Sequence, residues 1–201
     1  MNLAVLGAAG ATGSQVVEQG LVAGHHVAAL ARSGGTLTVA NPDLQVVQGD
    51  ATDEAAVAQA MRGADAVISV LGARGPVIAE AARVLVAVAK RDGPERIVML
   101  SSFAVERDRL TPVSKLVTRM AMGRQIKDKA AGEEVLRASG LDWTIVYATK
   151  LTNGPKTEPK VVPDNEKVGI SQRISRADVA SFLLRAAADG LYSRRGVIIT
   201  G

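Results

Sequence analysis

Five side chains in the second half of the chain are of types that can bind a reacting group or move a proton: Ser101 and Ser102, Lys129, Tyr147 and Lys150. Adjacent hydroxyls can orient a carbonyl or carboxamide, lysines can attract an anion, and a tyrosine can donate a proton. Each has a plainer reading. The serines can cap a sheet edge by bonding backbone. The lysines can be solvated surface cations, and Lys129 can pair with Glu133 at i, i+4. Metal chemistry is not expected. The chain has no cysteine, and its two histidines, His25 and His26, are adjacent and would point to opposite faces of a strand.

Whether those five residues meet depends on the elements that carry them, and the clearest of these lies at the other end of the chain. The stretch LAVLGAAGATG, residues 3–13, is a short apolar run that breaks on Gly7 and continues as Gly7-Ala8-Ala9-Gly10-Ala11-Thr12-Gly13. An amphipathic segment follows and predicts a helix over 12–23. Strand, glycine turn and helix start in succession make a cradle for an anion. Glycine allows close approach of a bulky group, and the first N–H groups and dipole of a helix attract phosphate. The contacts expected for a dinucleotide pyrophosphate are Gly7, Ala9, Gly10, Ala11, Thr12 and Gly13. The plainer alternative is a turn kept small for packing.

The apolar runs 26–31, 44–47, 66–71, 96–100, 142–146 and 197–200 read as strands. Helical segments separate them: 53–61, 76–90, a charged stretch broken near Gly123 that ends at 139, and a last helix opened by Ser175 or Arg176 and ending at 188. Such alternation predicts an α/β fold, a Rossmann-like doubly wound parallel sheet. The expectation is a single domain over 1–201, with a small C-terminal substrate-loop region at 151–174 that carries short strands near 160–162 and 168–170. Ligands of such sheets lie beyond the strand C-termini. The residues there are Arg32 and Ser33, Asp50 and Ala51, Leu71, Gly72 and Arg74, Ser101 and Ser102, then Tyr147 and Lys150. An NAD site usually has an acid about 20 residues after the glycine turn. Arg32 and Ser33 stand there instead and suit a 2′-phosphate, which favours NADPH over NADH. Asp50 can accept from an adenine amino group, and Gly72 leaves room for a ribose.

Composition narrows the partners. Aromatics are 2% of the chain and the formal net charge is +4, spread along the sequence, so few rings are available to stack on bases and nucleic acid is not an expected partner. No apolar run approaches the roughly 20 residues of a membrane span, and no basic-then-apolar leader opens the chain. A cytoplasmic monomer or homodimer acting on a small molecule is the expectation.

The stretches GAAGATG (7–13), ALARS (29–33), QGDATD (48–53), ISVLGARG (68–75), LSS (100–102), LRASGLDWTIV (136–146), LTNGP (151–155) and ISRADVASFLLR (174–185) resemble, in order and spacing, an atypical group of short-chain dehydrogenases/reductases. That group is the NAD(P)H-binding, NmrA-like one, and within it the chain is most similar to the flavin reductase/biliverdin reductase B type. The resemblance implies NADPH lying across Gly7–Gly13, Arg32, Asp50, Gly72 and Arg74, with Ser101 and Ser102 near the nicotinamide. It implies hydride transfer to FMN, FAD or another flavin, and in some members to linear tetrapyrroles. Two departures concern the substrate. The family's T-I-V-R-P reads Thr144-Ile145-Val146-Tyr147-Ala148, and histidines of the biliverdin type are replaced by Lys129 and Lys150. The Tyr-x-x-x-Lys pair of standard short-chain reductases is also absent, because Gln125 stands four residues before Lys129. Reduction of an isolated ketone needs a nearby proton donor, whereas a flavin, quinone or tetrapyrrole spreads the charge over a conjugated system. A conjugated acceptor is therefore expected. The alternatives are a non-enzymatic NADP(H)-sensing regulatory or assembly protein of the NmrA-like type, and a sugar-nucleotide- or ketone-modifying enzyme, for which the C-terminal part leaves little room.

Overall fold

A computed structural model of the chain describes residues 1–32, 37, 39–72 and 77–201, with the side chains at 121 and 122 outside the description. Apolar runs become strands wherever helices cover both faces. β1 (Asn2–Leu6) and β4 (Ala66–Ser69) are buried almost throughout. With β2 (His26–Ala31), β3 (Leu44–Gln48), β5 (Arg96–Ser102), β6 (Asp142–Ala148), β8 (Lys160–Val161) and β10 (Arg195–Thr200) they form a sheet in the order β3-β2-β1-β4-β5-β6-β10-β8. All pairings in it are parallel except β10 with β8. The order reverses at β1, whose neighbours are β2 and β4. Such a switch point opens a crevice at the strand C-termini.

The alternation of side chains along each strand builds two cores. Leu3, Val5, Val98 and Val146 pack under α1 (Ala11–Val22) and α5 (Arg176–Ala188). Leu6, Ile97, Met99, Ile145 and Tyr147 pack under α2 (Glu54–Met61), α3 (Ile78–Asp92) and α4 (Pro112–Arg137). The doubly wound α/β fold is as expected. The break expected near Gly123 is absent, and α4 runs 26 residues without interruption. A glycine costs a helix only about 1 kcal/mol, and α4 recovers this by its Thr111 cap and by packing on α3, where Gly132 lies against Ile78.

The segment after β6 is tied at its base and along its length. β7 (Lys150–Thr152) pairs in parallel with β9 (Arg173–Ser175). Of the strand expected at 168–170, only Val168 makes a bridge, to Leu110. Asp178 of α5 reaches back to accept from the backbone and hydroxyl of Thr157 and from Ser175. Burial alone would raise its carboxyl, but these donors outweigh that and hold it below the usual carboxylate range.

Candidate active site

Four of the five α-helices have their N-terminal N–H groups closed by a side chain. Asp53 caps α2, Thr111 caps α4 and Ser175 caps α5. Asp128 of α4 closes α3 from outside, its carboxylate accepting from Ile78 N–H at 2.9 Å and Ala79 N–H at 3.1 Å. α1 is the exception. Its Gly10 makes no side-chain cap, its first turn holds no acid, and the N–H groups of Ala11, Thr12 and Gly13 have no acceptor among the described residues. The turn before it is drawn tight. Gly7 has φ +84°, which favours glycine, and a Cβ on Gly13 would stand 2.1 Å from the Gly7 carbonyl oxygen. Ala9, Gly10 and Ala11 are exposed on its rim. An open helix N-terminus behind a glycine cradle at the switch point fits the pyrophosphate of a nicotinamide dinucleotide.

The next strand ends continue the track. Arg32 is exposed at the end of β2. Asp50 takes Thr52 N–H at 3.0 Å and Thr52 Oγ1 at 2.8 Å, both on Oδ1, so that no described residue occupies Oδ2. Those bonds, with the nearby Arg32 charge, hold its carboxyl below the ordinary value. Ala51 is buried and offers only backbone. Leu71 is half-buried, and Gly72 has no described atom within 4 Å of where a Cβ would lie. Ser33 and Arg74 lie outside the described residues.

The expected catalytic residues divide. Ser102 is half-buried at the end of β5, where its Oγ accepts from Ala104 N–H at 3.3 Å. Lys150 is exposed at the start of β7, beside Arg173 in register. Lys129 is half-buried on α4, and the ion partner of Glu133 among the described residues is Arg137, at 4.0 Å. Burial lowers the Lys129 ammonium from its ordinary value, while the charges of Glu133 and Asp128 oppose that shift.

Two expectations change with the structure. Ser101, expected beside the nicotinamide, is buried and donates to Glu133 Oε1 at 2.5 Å. Tyr147, expected as a proton donor, is 1% exposed, donates to Glu133 Oε2 at 2.7 Å and accepts from Arg137 at 2.7 Å. The reason is strand alternation. Ser101 and Tyr147 are register partners on the face that α4 covers, so both hydroxyls point into the helix. Burial first, and then the Glu133 carboxylate, pushes the Tyr147 phenol far above its ordinary value. The organising residue is Glu133, which was weighed only as a partner for Lys129. Its sequence signal is the run Lys129-x-x-x-Glu133-x-x-x-Arg137, one charged residue per turn on one helix face. Among the described residues, no cluster of three histidines or acids is placed to hold a metal ion, and no helix is long and apolar enough to cross a membrane.

Solved structures share this fold. A short-chain dehydrogenase/reductase from Veillonella parvula in complex with NADP is 18% identical, with a TM-score of 0.86 over 100% of this chain and 94% of that one. The anaerobillin reductase ChuY from Escherichia coli O157:H7 is 24% identical, with a TM-score of 0.84 over 99% and 96%. Among curated proteins, the (4-alkanoyl-5-oxo-2,5-dihydrofuran-3-yl)methyl phosphate reductase of Streptomyces griseus is 37% identical over 142 residues. That match takes in 71% of this chain and 45% of the relative, so the chain spans less than half the length of that protein. A family model described as NAD(P)H-binding matches residues 7–190. The chain belongs to this NAD(P)H-binding family and has its Rossmann fold.

Proposed function

We propose that the protein is an NADPH-dependent oxidoreductase that passes a hydride to a conjugated acceptor such as a flavin, quinone, tetrapyrrole or unsaturated lactone. The observation that carries the reading is the uncapped N-terminus of α1 behind the glycine cradle, in line with Arg32, Asp50 and Gly72. Bound NADPH supplies the hydride. Arg32, with Ser33, is assigned to the 2′-phosphate, Asp50 Oδ2 to the adenine amino group, and the α1 N–H groups to the pyrophosphate. Ser102 is assigned to the carboxamide or a substrate carbonyl, and Lys129 and Lys150 to negative charge on the acceptor. Segment 151–174 is assigned to the substrate. The commitment of Tyr147 inside the protein supports an acceptor that delocalises its own charge. The names of two relatives point the same way, an anaerobillin and a dihydrofuranone whose ring double bond is conjugated with carbonyls.

The test is an acceptor panel with NADPH and with NADH, on wild type and Arg32→Ala. A charge-assisted contact is worth about 1.5–3 kcal/mol, so Arg32→Ala should lower the NADPH preference roughly 10- to 100-fold. An unchanged preference overturns the cofactor assignment. The missing Tyr-x-x-x-Lys pair favours a second reading, a sensor that binds both redox forms without turnover. Tight binding of NADP(H), no reduction of any acceptor and recovery of a partner protein would select it.

A further inference from the structure

Glu133 borders a groove beside α4. The groove, of about 440 Å³, is lined by Glu106, Lys127, Ala130, Ala131 and Arg137 together with Glu133. Glu133 is 3% exposed and is held mainly by two neutral hydroxyls, Ser101 from β5 and Tyr147 from β6. Arg137, its nearest cation, is 4.0 Å away and 3.7 Å from Glu106, which faces the site from the segment between β5 and α4. Lys129 lies one helical turn from Glu133 on the same face, and α4 runs antiparallel to the strands, so that turn leads toward the cofactor track. Of the other charges on this stretch, Lys127 and Glu134 line the groove with Glu133, and Asp128 is committed to the start of α3. A carboxylate buried on hydroxyls is costly compared with a glutamine or an apolar side chain of the same shape. Packing alone does not call for it.

We propose that Glu133 is a positioning residue that holds the proton consumed in reduction, taking it from water in the groove and returning it to Lys129. The proposal rests on the reductase reading. The hydride brings two electrons and one hydrogen from the reduced dinucleotide, and the acceptor then lacks one proton. A Lys129 N–H bond breaks as that proton passes to the acceptor anion. The neutral amine, beyond direct contact with the carboxyl, takes the Glu133 proton through an intervening water, and the carboxylate is reprotonated from water beside Glu106 and Arg137, the hydroxide leaving to bulk solvent. Burial raises the Glu133 carboxyl above its ordinary value, against the bonds from Ser101 and Tyr147, and it lowers the Lys129 ammonium. Both shifts narrow the gap between the two groups and make exchange between them less costly.

Two readouts test the proposal. The first needs no turnover: pH-dependent infrared difference spectra of wild type, Glu133→Gln and Ala131→Phe in H₂O and D₂O. A protonated carboxyl should persist to higher pH than exposed glutamates, vanish in Glu133→Gln, and exchange deuterium more slowly when Ala131→Phe fills the groove. The second is kinetic. Glu133→Gln should lower kcat roughly 10- to 100-fold, leave KM for NADPH unchanged and enlarge the solvent isotope effect, and Glu133→Asp should recover part of the loss. A Glu133 carboxyl that titrates with the exposed glutamates overturns the proposal. So does wild-type exchange in Ala131→Phe, or a Glu133→Gln enzyme with wild-type kcat and isotope effect. Failure of the reductase reading is separate, because it appears in the wild type as no acceptor reduced.

Discussion

The sheet buries a charged side chain at each of its two ends, and it treats them in opposite ways. At the strand N-termini, Arg96 is 8% exposed and spreads its guanidinium over fixed acceptors. It donates to the carbonyls of Ala186 at 2.6 Å and Leu191 at 2.7 Å, to Thr144 at 2.8 Å and to Asp142 at 3.2 Å. At the C-termini, Glu133 meets hydroxyls that can rotate, beside a groove open to water. Arginine does not deprotonate in a protein, so Arg96 is a clamp that draws the end of α5 and the start of β10 onto the sheet. Glutamate does titrate, and this one lies beside the C-terminal ends of β5 and β6. Burial is shared by the two ends; what differs is whether the buried group can give up a proton.

The largest effect should come from breaking the clamp. Arg96→Met takes the guanidinium from the Ala186 carbonyl and from the buried side of Asp142, while the Leu191 carbonyl keeps the Thr144 hydroxyl, and loss of one side of a buried charged network typically costs about 3–5 kcal/mol. Urea unfolding should show that loss, with NADPH affinity of the folded fraction unchanged. If affinity falls with stability, the two ends are coupled and the contrast fails. Tyr147→Phe should cost less, about 1–2 kcal/mol. The ring still packs across Gly196, where a Cβ would lie 2.7 Å from Tyr147 Cε2, so only the hydroxyl's bonds are lost. Removing that donor also takes away a bond that lowers the Glu133 carboxyl. The infrared carboxyl signal of Tyr147→Phe should therefore persist to higher pH than in wild type.

These two networks are also where reading from sequence runs out. The glycine cradle and the buried strands were legible because their signals are local: a break in an apolar run, a glycine at fixed spacing, a helix start. Glu133 joins Ser101 and Tyr147 across 32 and 14 residues, Asp128 closes α3 across 50, and Arg96 reaches carbonyls 90 and 95 residues away. Nothing near those residues in the chain announces their partners. Glu133 looks like an ordinary i, i+4 partner on a solvated helix until β5 and β6 are seen beneath it. Tyr147 and Ser101 depart from the sequence expectation for a related reason. Both stand near a strand end, but which face of the sheet each one takes depends on strand register, which alternates with every residue. Gly123 shows the same limit in a helix, since its local cost is outweighed by packing between α3 and α4 that sequence spacing does not display.

The smallest effect is a slope rather than an offset, and it separates the two ends most directly. The Glu133 carboxyl is raised in the folded protein, so between its ordinary value of 4.5 and its folded value the native state holds more protons than the unfolded state. Stability then falls as pH rises through that interval and levels off above it. Arg96 is lowered by burial but stays protonated in both states at these pH values, so it contributes no slope there. Asp50 and Asp178 are lowered and act in the opposite sense, losing stability as pH falls through values below 3.8, outside the Glu133 interval. His25, lowered from 6.5 by burial, acts against Glu133 at pH values below 6.5, so the Glu133 contribution is read relative to Glu133→Gln: on that scale urea midpoints taken from pH 4.5 upward should decline in wild type and in Arg96→Met alike, the second curve displaced downward but parallel. A wild-type slope in Glu133→Gln would assign the titration to some other group and remove the distinction between a clamp and a proton-holding site.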